Sequence, residues 1–177
     1  WWAWLPVKVG YGKYDEGVAI ISLGRKIRSV DQFSVCRKHD YTDWRSRGVL
    51  GVKVDGMDDW FYTVHMGWWE DEQAPFLEQL KILNCCLAAK RFYGPVWLLG
   101  AFNAPSDVPR ESYDALMRCG WVDTYTVARE RDEGITVPGA IEGWSRPLSR
   151  TQQAGMRLDY ILCSHRPEVR SSRTVFN

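Results

Sequence analysis

The sequence predicts an α/β or α+β fold in which strands form sheets and helices cover their outer faces. Three observations predict it. Short runs rich in β-branched and aromatic residues recur along the chain, one long segment between them repeats its apolar residues at helical spacing, and Gly, Pro or Asp bounds each run.

The strand candidates, in order, are GVAIISL (17–23), VLGVKVDG (49–56), WFYTVHM (60–66), PVWLLG (95–100) and LDYILCS (158–164). DGMDDW (55–60) reads as the hairpin turn that joins the second and third. The segment QAPFLEQLKILNCCLAAKRF (73–92) carries Phe76, Leu80, Leu83 and Leu87 three or four residues apart, with Pro75 near its start and Gly94 beyond its end, which predicts a helix. ESYDALMRCGW (111–121) predicts a second, shorter helix with Tyr113, Leu116 and Met117 on its apolar side and Gly120 as its stop. From Arg129 to Gly155 the chain is charged and rich in Gly and Pro without periodicity, and reads as a long loop. No repeat interrupts this order, so residues 1–177 are read as one domain.

Composition narrows the function. Lys and Arg number 23 against 22 acids, a net charge of +1 with no basic run, which disfavours a nucleic-acid partner. The five cysteines, Cys36, Cys85, Cys86, Cys119 and Cys163, are odd in number and lack a CxxC pair, so they read as reduced and structural. Neither a signal peptide nor an apolar run of membrane-spanning length stands out, and the reading is a cytoplasmic protein without a membrane partner. Ten tryptophans are many for this length, and indole faces suit stacking on sugar rings as well as core packing.

Four segments then fall into a familiar order. LLGAFNAP (98–105) resembles the Gly-Asp-Phe-Asn strand end of the exonuclease, endonuclease and phosphatase superfamily, and YTVHMG (62–67) resembles its histidine-bearing strand. MRLDYILCS (156–164) resembles its Leu-Asp-Tyr strand, and KYDEGVAIIS (13–22) its Glu-bearing strand. The resemblance runs from Tyr14 to about Val175. It implies a four-layered αββα sandwich, two packed β-sheets flanked by helices, and Mg²⁺- or Mn²⁺-dependent cleavage of phosphoester bonds.

Carried across residue by residue, the resemblance assigns His65 to the proton of the leaving group and Glu16 to orienting that imidazole, with the two hydrogen-bonded on adjacent strands. Asn103 would bind phosphate or position the attacking water, Asp159 would hold a second histidine, and Arg47 would contact phosphate. Taken alone, His65 reads as a core histidine, Glu16 as a strand-edge charge and Asp159 as a cap. His39 and His165, in charged loops, read as solvated. The residue types suit the chemistry, since donors neutralise developing charge while an imidazole and carboxylates manage protons.

Where the family carries Asp, this chain has Ala101. The resemblance implies that this Asp aligns the attacking water and approaches the metal, so the chain as given is expected to be inactive or crippled. The family's Asn-bearing strand and metal-binding Glu are expected before residue 1 and its Ser-Asp-His after residue 177. The domain is accordingly read as lacking its terminal strands, and its metal ligands are unknown.

HMGWWEDE (65–72) and GITVPGAIEGW (134–144) place Trp68, Trp69 and Trp144 near the expected mouth as candidate substrate contacts. Together they resemble bacterial maltose 6'-phosphate phosphatases, which implies a small phosphorylated substrate, a sugar phosphate, and a place in carbohydrate metabolism. The alternatives are a nuclease or phosphodiesterase of the same superfamily, or a non-catalytic relative that binds a phosphorylated ligand or a partner.

Overall fold

The structure, a computed structural model, describes residues 1–69, 71–108, 112–139 and 153–175. A six-stranded mixed sheet is its centre. In spatial order it consists of β3 (Ile27–Ser34), β4 (Gly48–Val54), β5 (Trp60–His65), β6 (Val96–Ala101), β9 (Asp159–Cys163) and β7 (Val122–Asp123). Only β5 and β6 run parallel, and α1 (Phe76–Tyr93) makes the crossover between them. A separate hairpin, β1 (Trp2–Gly10) with β2 (Tyr14–Ile21), packs on the other face, and α2 (Ser112–Arg118) joins α1. The remaining elements are α3 (Thr124–Val127) and a short parallel pair, β8 (Glu130–Arg131) with β10 (Ser171–Ser172).

Two cores follow from the alternation of side chains across the sheet. On one face Tyr62, Val64, Leu98 and Leu162 meet Phe76, Leu80, Leu83 and Leu87 of α1 and Leu116 of α2. Leu83 and Leu87 are fully buried, and burying each contributes about 2 kcal/mol. On the other face Leu50, Val52 and Val54 meet Ala3, Leu5, Val18 and Ile20 of the hairpin. Strand β4 lies between the cores, which is why nearly every one of its residues is buried. This is an α+β fold of two packed sheets with helices outside the larger one, as expected for the sandwich. The outer face of the hairpin leaves Trp2, Trp4 and Ile21 exposed.

The predicted helices and all five predicted strands are present, and Gly120, at φ +78, ends α2 in the left-handed conformation that favours glycine. Five strands escaped the sequence reading, the long β1 and β3 and the two-residue β7, β8 and β10, and with them the short helix α3. The segment read as a long loop, Arg129 to Gly155, contains β8, and its Val137 bridges to Met156 just beyond it. The cysteines are all unpaired, as read; Cys85 and Cys86 lie on the outward side of α1 and Cys119 follows the end of α2, all three exposed, and only Cys163 is buried. His39 and His165 are exposed, as read from their loops.

Candidate active site

Sheet register brings three of the expected residues into one row. Ala101, at the end of β6, is the partner of His65 on β5 and of Asp159 on β9. Residues paired across neighbouring strands project from the same face, so an imidazole, a methyl group and a carboxylate stand side by side toward the β1–β2 hairpin.

The backbone around Ala101 explains the Gly-x-Phe-Asn pattern. Gly100 has φ +131, and a Cβ there would lie 2.2 Å from the carbonyl oxygen of Val64, so glycine is required where β6 crowds β5. Phe102 is fully buried edge-on to Tyr160, with centroids 5.7 Å apart. Asn103 takes the left-handed conformation at φ 50, and its Nδ2 donates to the carbonyl of Met66 at 2.9 Å. Asn103 is thereby tied to the residue that follows His65.

Across from this row, Glu16, Arg47 and His65 line a small pocket between the hairpin and the sheet, of about 10 Å³, room for about one water. Arg47 is 7% exposed and donates through Nη1 to the carbonyls of Trp44 at 2.8 Å and Ser46 at 3.0 Å. Its Nε is buried without a partner, and among the described residues no carboxylate pairs with it. Burial lowers its pKa, but a guanidinium stays charged at any working pH.

Glu16 and His65 do not meet as the resemblance implies. They belong to different sheets that face one another, and among the described residues no hydrogen bond joins them. The Glu16 carboxylate instead pairs with Lys8 at 3.0 Å, a residue the sequence reading missed. His65 is exposed as a residue at the end of β5, yet it lines the small pocket with Glu16 and Arg47 and is partly buried there. That burial first, then the Arg47 and Lys8 cations, push its pKa down to about 4, while Glu16 and Asp159 act in the opposite sense. The ring is therefore neutral at neutral pH rather than poised near its ordinary value.

Beyond Asp159 a cleft of about 320 Å³ opens, lined by Tyr125, Asp132, Thr136, Arg157 and Arg173 among others. Arg157 is fixed in it by a 2.6 Å ion pair to the buried Asp123 and lies over the rings of Tyr113, Tyr125 and Tyr160. Trp68 and Trp69 are half-buried, with ring centroids 4.1 Å apart, three and four residues past His65. Trp144 lies outside the described residues. The donors present do not make a divalent-metal site by themselves: among the described residues no group of three or more His, Cys, Asp or Glu converges, Glu16 is committed to Lys8, and position 101 offers no oxygen. No helix among them is long and apolar enough to cross a membrane.

No protein-family model and no curated protein sequence matches the chain. Solved structures do. An endonuclease/exonuclease/phosphatase family protein from Leptotrichia buccalis C-1013-b is 28% identical with a TM-score of 0.84, over 100% of this chain and 64% of that one. The mannosyl-6-phosphatase Bt3783 of Bacteroides thetaiotaomicron VPI-5482 is 18% identical with a TM-score of 0.64, over 96% of this chain and 65% of that one. Truncated Caenorhabditis elegans TDP2 is 14% identical with a TM-score of 0.59, over 95% of this chain and 63% of that one. The chain thus spans less than two thirds of the length of each of these structures. The class that fold and strand-end row define is a two-sheet α+β sandwich with its polar residues gathered at the strand ends. The neighbours support the endonuclease/exonuclease/phosphatase superfamily, a phosphoester-cleaving one, as the family its motifs resemble.

Proposed function

We infer that the chain carries the site of a divalent-metal-dependent phosphoester hydrolase for a small phosphorylated substrate, a sugar phosphate, and that Ala101 cripples turnover. The observation that carries this reading is the register row His65–Ala101–Asp159, with Arg47 facing it and Asn103 at its edge. In this role Arg47 and Asn103 supply donors to phosphate oxygens. His65 is neutral when the site is empty. An anionic ligand beside it favours the protonated ring, which then has a proton to hand to the departing oxygen. Asp159 accepts hydrogen bonds at the far end of the row.

A sugar-sized alcohol suits the cleft beyond Asp159, whose lining mixes carboxylates, hydroxyls and aromatic faces. The net charge of +1 supports a small ligand over nucleic acid, and the unpaired cysteines accord with a reducing, cytoplasmic setting. Trp68, Trp69 and Trp144 remain candidates for contact with the sugar. Mg²⁺ or Mn²⁺ is the ion this reading calls for, and it supplies charge neutralisation when bound; the described residues do not by themselves gather the carboxylates to hold it.

Ala101 favours a second reading, a non-catalytic relative that binds a phosphorylated ligand. Calorimetry with mannose 6-phosphate and glucose 6-phosphate, beside phosphate release with Mg²⁺ and with chelator and cleavage of a DNA duplex, tests the site, and the same assays on Ala101→Asp separate the two readings, since only a crippled hydrolase regains turnover. Binding with little hydrolysis is expected. Vigorous metal-dependent hydrolysis removes the crippling role of Ala101, preferential duplex cleavage makes the protein a nuclease, and absence of any binding removes the sugar-phosphate reading.

A further inference from the structure

Strand β1 changes the face it presents halfway along. Ala3 pairs with Ile20 and Leu5 with Val18, inward residues facing inward residues, while Trp2 and Trp4 point out. Continued regularly, this pairing puts Val7 opposite Glu16 and turns Lys8 outward, beside Pro6. The register slips instead: Pro6 pairs with Gly17 but Lys8 with Glu16, so Val7 and Lys8 together oppose one residue of β2. This is a β-bulge, a device that re-aims side chains and is common beside active sites.

Its consequence is that Val7 and Lys8 are both buried, at 5% and 8% exposure. Burying an ammonium costs several kcal/mol unless partners replace its water, and a buried pair is weak evidence for stability as such. Lys8 has two partners, the Glu16 carboxylate at 3.0 Å and the carbonyl of Trp44 at 2.8 Å. The same Trp44 carbonyl accepts from Arg47, so one oxygen fixes two cations beside His65. The charged groups facing His65 are then Lys8 from β1, Glu16 from β2, Arg47 from the loop before β4, and Asp159 from β9.

We propose that Lys8 is a positioning residue of this site: turned inward by the bulge, it holds the Glu16 carboxylate in an ion pair, so that Lys8 and Glu16 together govern the charge on His65. A carboxylate committed to an ammonium has less to give a neighbouring imidazole, and the ammonium repels a proton there directly. Both effects keep the ring neutral in the empty site.

The test is an NMR titration of the His65 ring, its signal identified by loss in His65→Gln, with His165 as internal reference. Lys8→Gln, which can still donate to Trp44, is expected to raise the His65 midpoint by about one unit, tenfold in proton affinity. Lys8→Arg is expected to restore the original midpoint, and Lys8→Gln/Glu16→Gln to return close to it. Should Lys8→Gln fail to fold with Glu16 unpaired, the comparison is made in the Glu16→Gln background, where removing Lys8 must still raise the midpoint. A folded protein whose His65 midpoint does not move on loss of Lys8, in whichever background folds, overturns the proposal. The readout needs no turnover, so it stands or falls separately from the hydrolase reading.

Discussion

His65 and Asp159 stand in one row of the six-stranded sheet, a strand apart on either side of Ala101. The gap between their functional groups is filled by one methyl group. A carboxylate placed there lies between an imidazole and another carboxylate, where it adds acidic oxygens to a row that otherwise has only those of Asp159.

Ala101→Asp is therefore expected to raise turnover of a sugar phosphate in a chain extended to the length of its structural relatives. A group acting on the attacking water is felt mainly in the transition state, whereas in the proposed function ground-state binding falls to Arg47 and Asn103. The rise expected is on the order of 10²- to 10³-fold in kcat, with KM changed far less. Without metal, the added charge should weaken phosphate binding. A substituted protein that stays inert on every phosphoester with Mg²⁺ present would leave the ligand-binding reading in its place.

Gly100→Ala tests the strand that delivers this row. The added Cβ meets the Val64 carbonyl at 2.2 Å in a backbone conformation that L residues rarely adopt. Left-handed strain and overpacking each cost about 1 to 3 kcal/mol, so a loss of about 3 kcal/mol or more is expected in urea unfolding. A loss under about 1 kcal/mol would mean that β6 can retreat from β5, and that the row is not held by this contact.

Asn103 combines two effects that substitution separates. Asn103→Gly keeps the φ of 50 without penalty but loses the bond to Met66, while Asn103→Ala loses the bond and keeps the strain. Thermal unfolding should rank the natural protein above Asn103→Gly and that above Asn103→Ala, with about 1 kcal/mol at each step. The reverse order of the two variants would show that the backbone at 103 relaxes.

Much of this arrangement was legible in the sequence, and the gaps have physical causes. Helix α1 declared itself because Phe76, Leu80, Leu83 and Leu87 all face one core. Strand β3 did not, because its inward positions include Ser29 and Asp31, and Asp31 is tolerated there only through Lys90 at 2.7 Å and the Tyr62 hydroxyl at 2.7 Å, partners remote in sequence. Strand β1 carries Pro6 and a bulge, both of which break the alternation that marks a strand, and Lys8 went unseen with it. The motifs located His65, Ala101 and Asp159, but that they share a row is a fact of register. That Glu16 pairs with Lys8 is a fact of the bulged register between β1 and β2, which no local pattern records.

The depressed pKa of His65 makes a last prediction, about stability. The folded protein holds this ring with a pKa of about 4, while an unfolded chain has a histidine near the ordinary 6.5. Between those values the unfolded state binds more protons, so stability rises with pH across the window. The contribution is fully present above about pH 6.5 and is lost as pH falls toward about 4. Asp31, whose pKa is lowered from the carboxylate range, gives up its contribution at lower pH and leaves most of the window to histidine. Urea unfolding at about pH 7 and about pH 4.5 should show the natural protein losing more stability than His65→Gln, which has no such proton to take up. His39 and His165 are common to both chains and cancel in the comparison. Equal losses in the two proteins would mean that the ring titrates in the folded state as it does in the unfolded one, and that burial, Arg47 and Lys8 together do not lower its pKa.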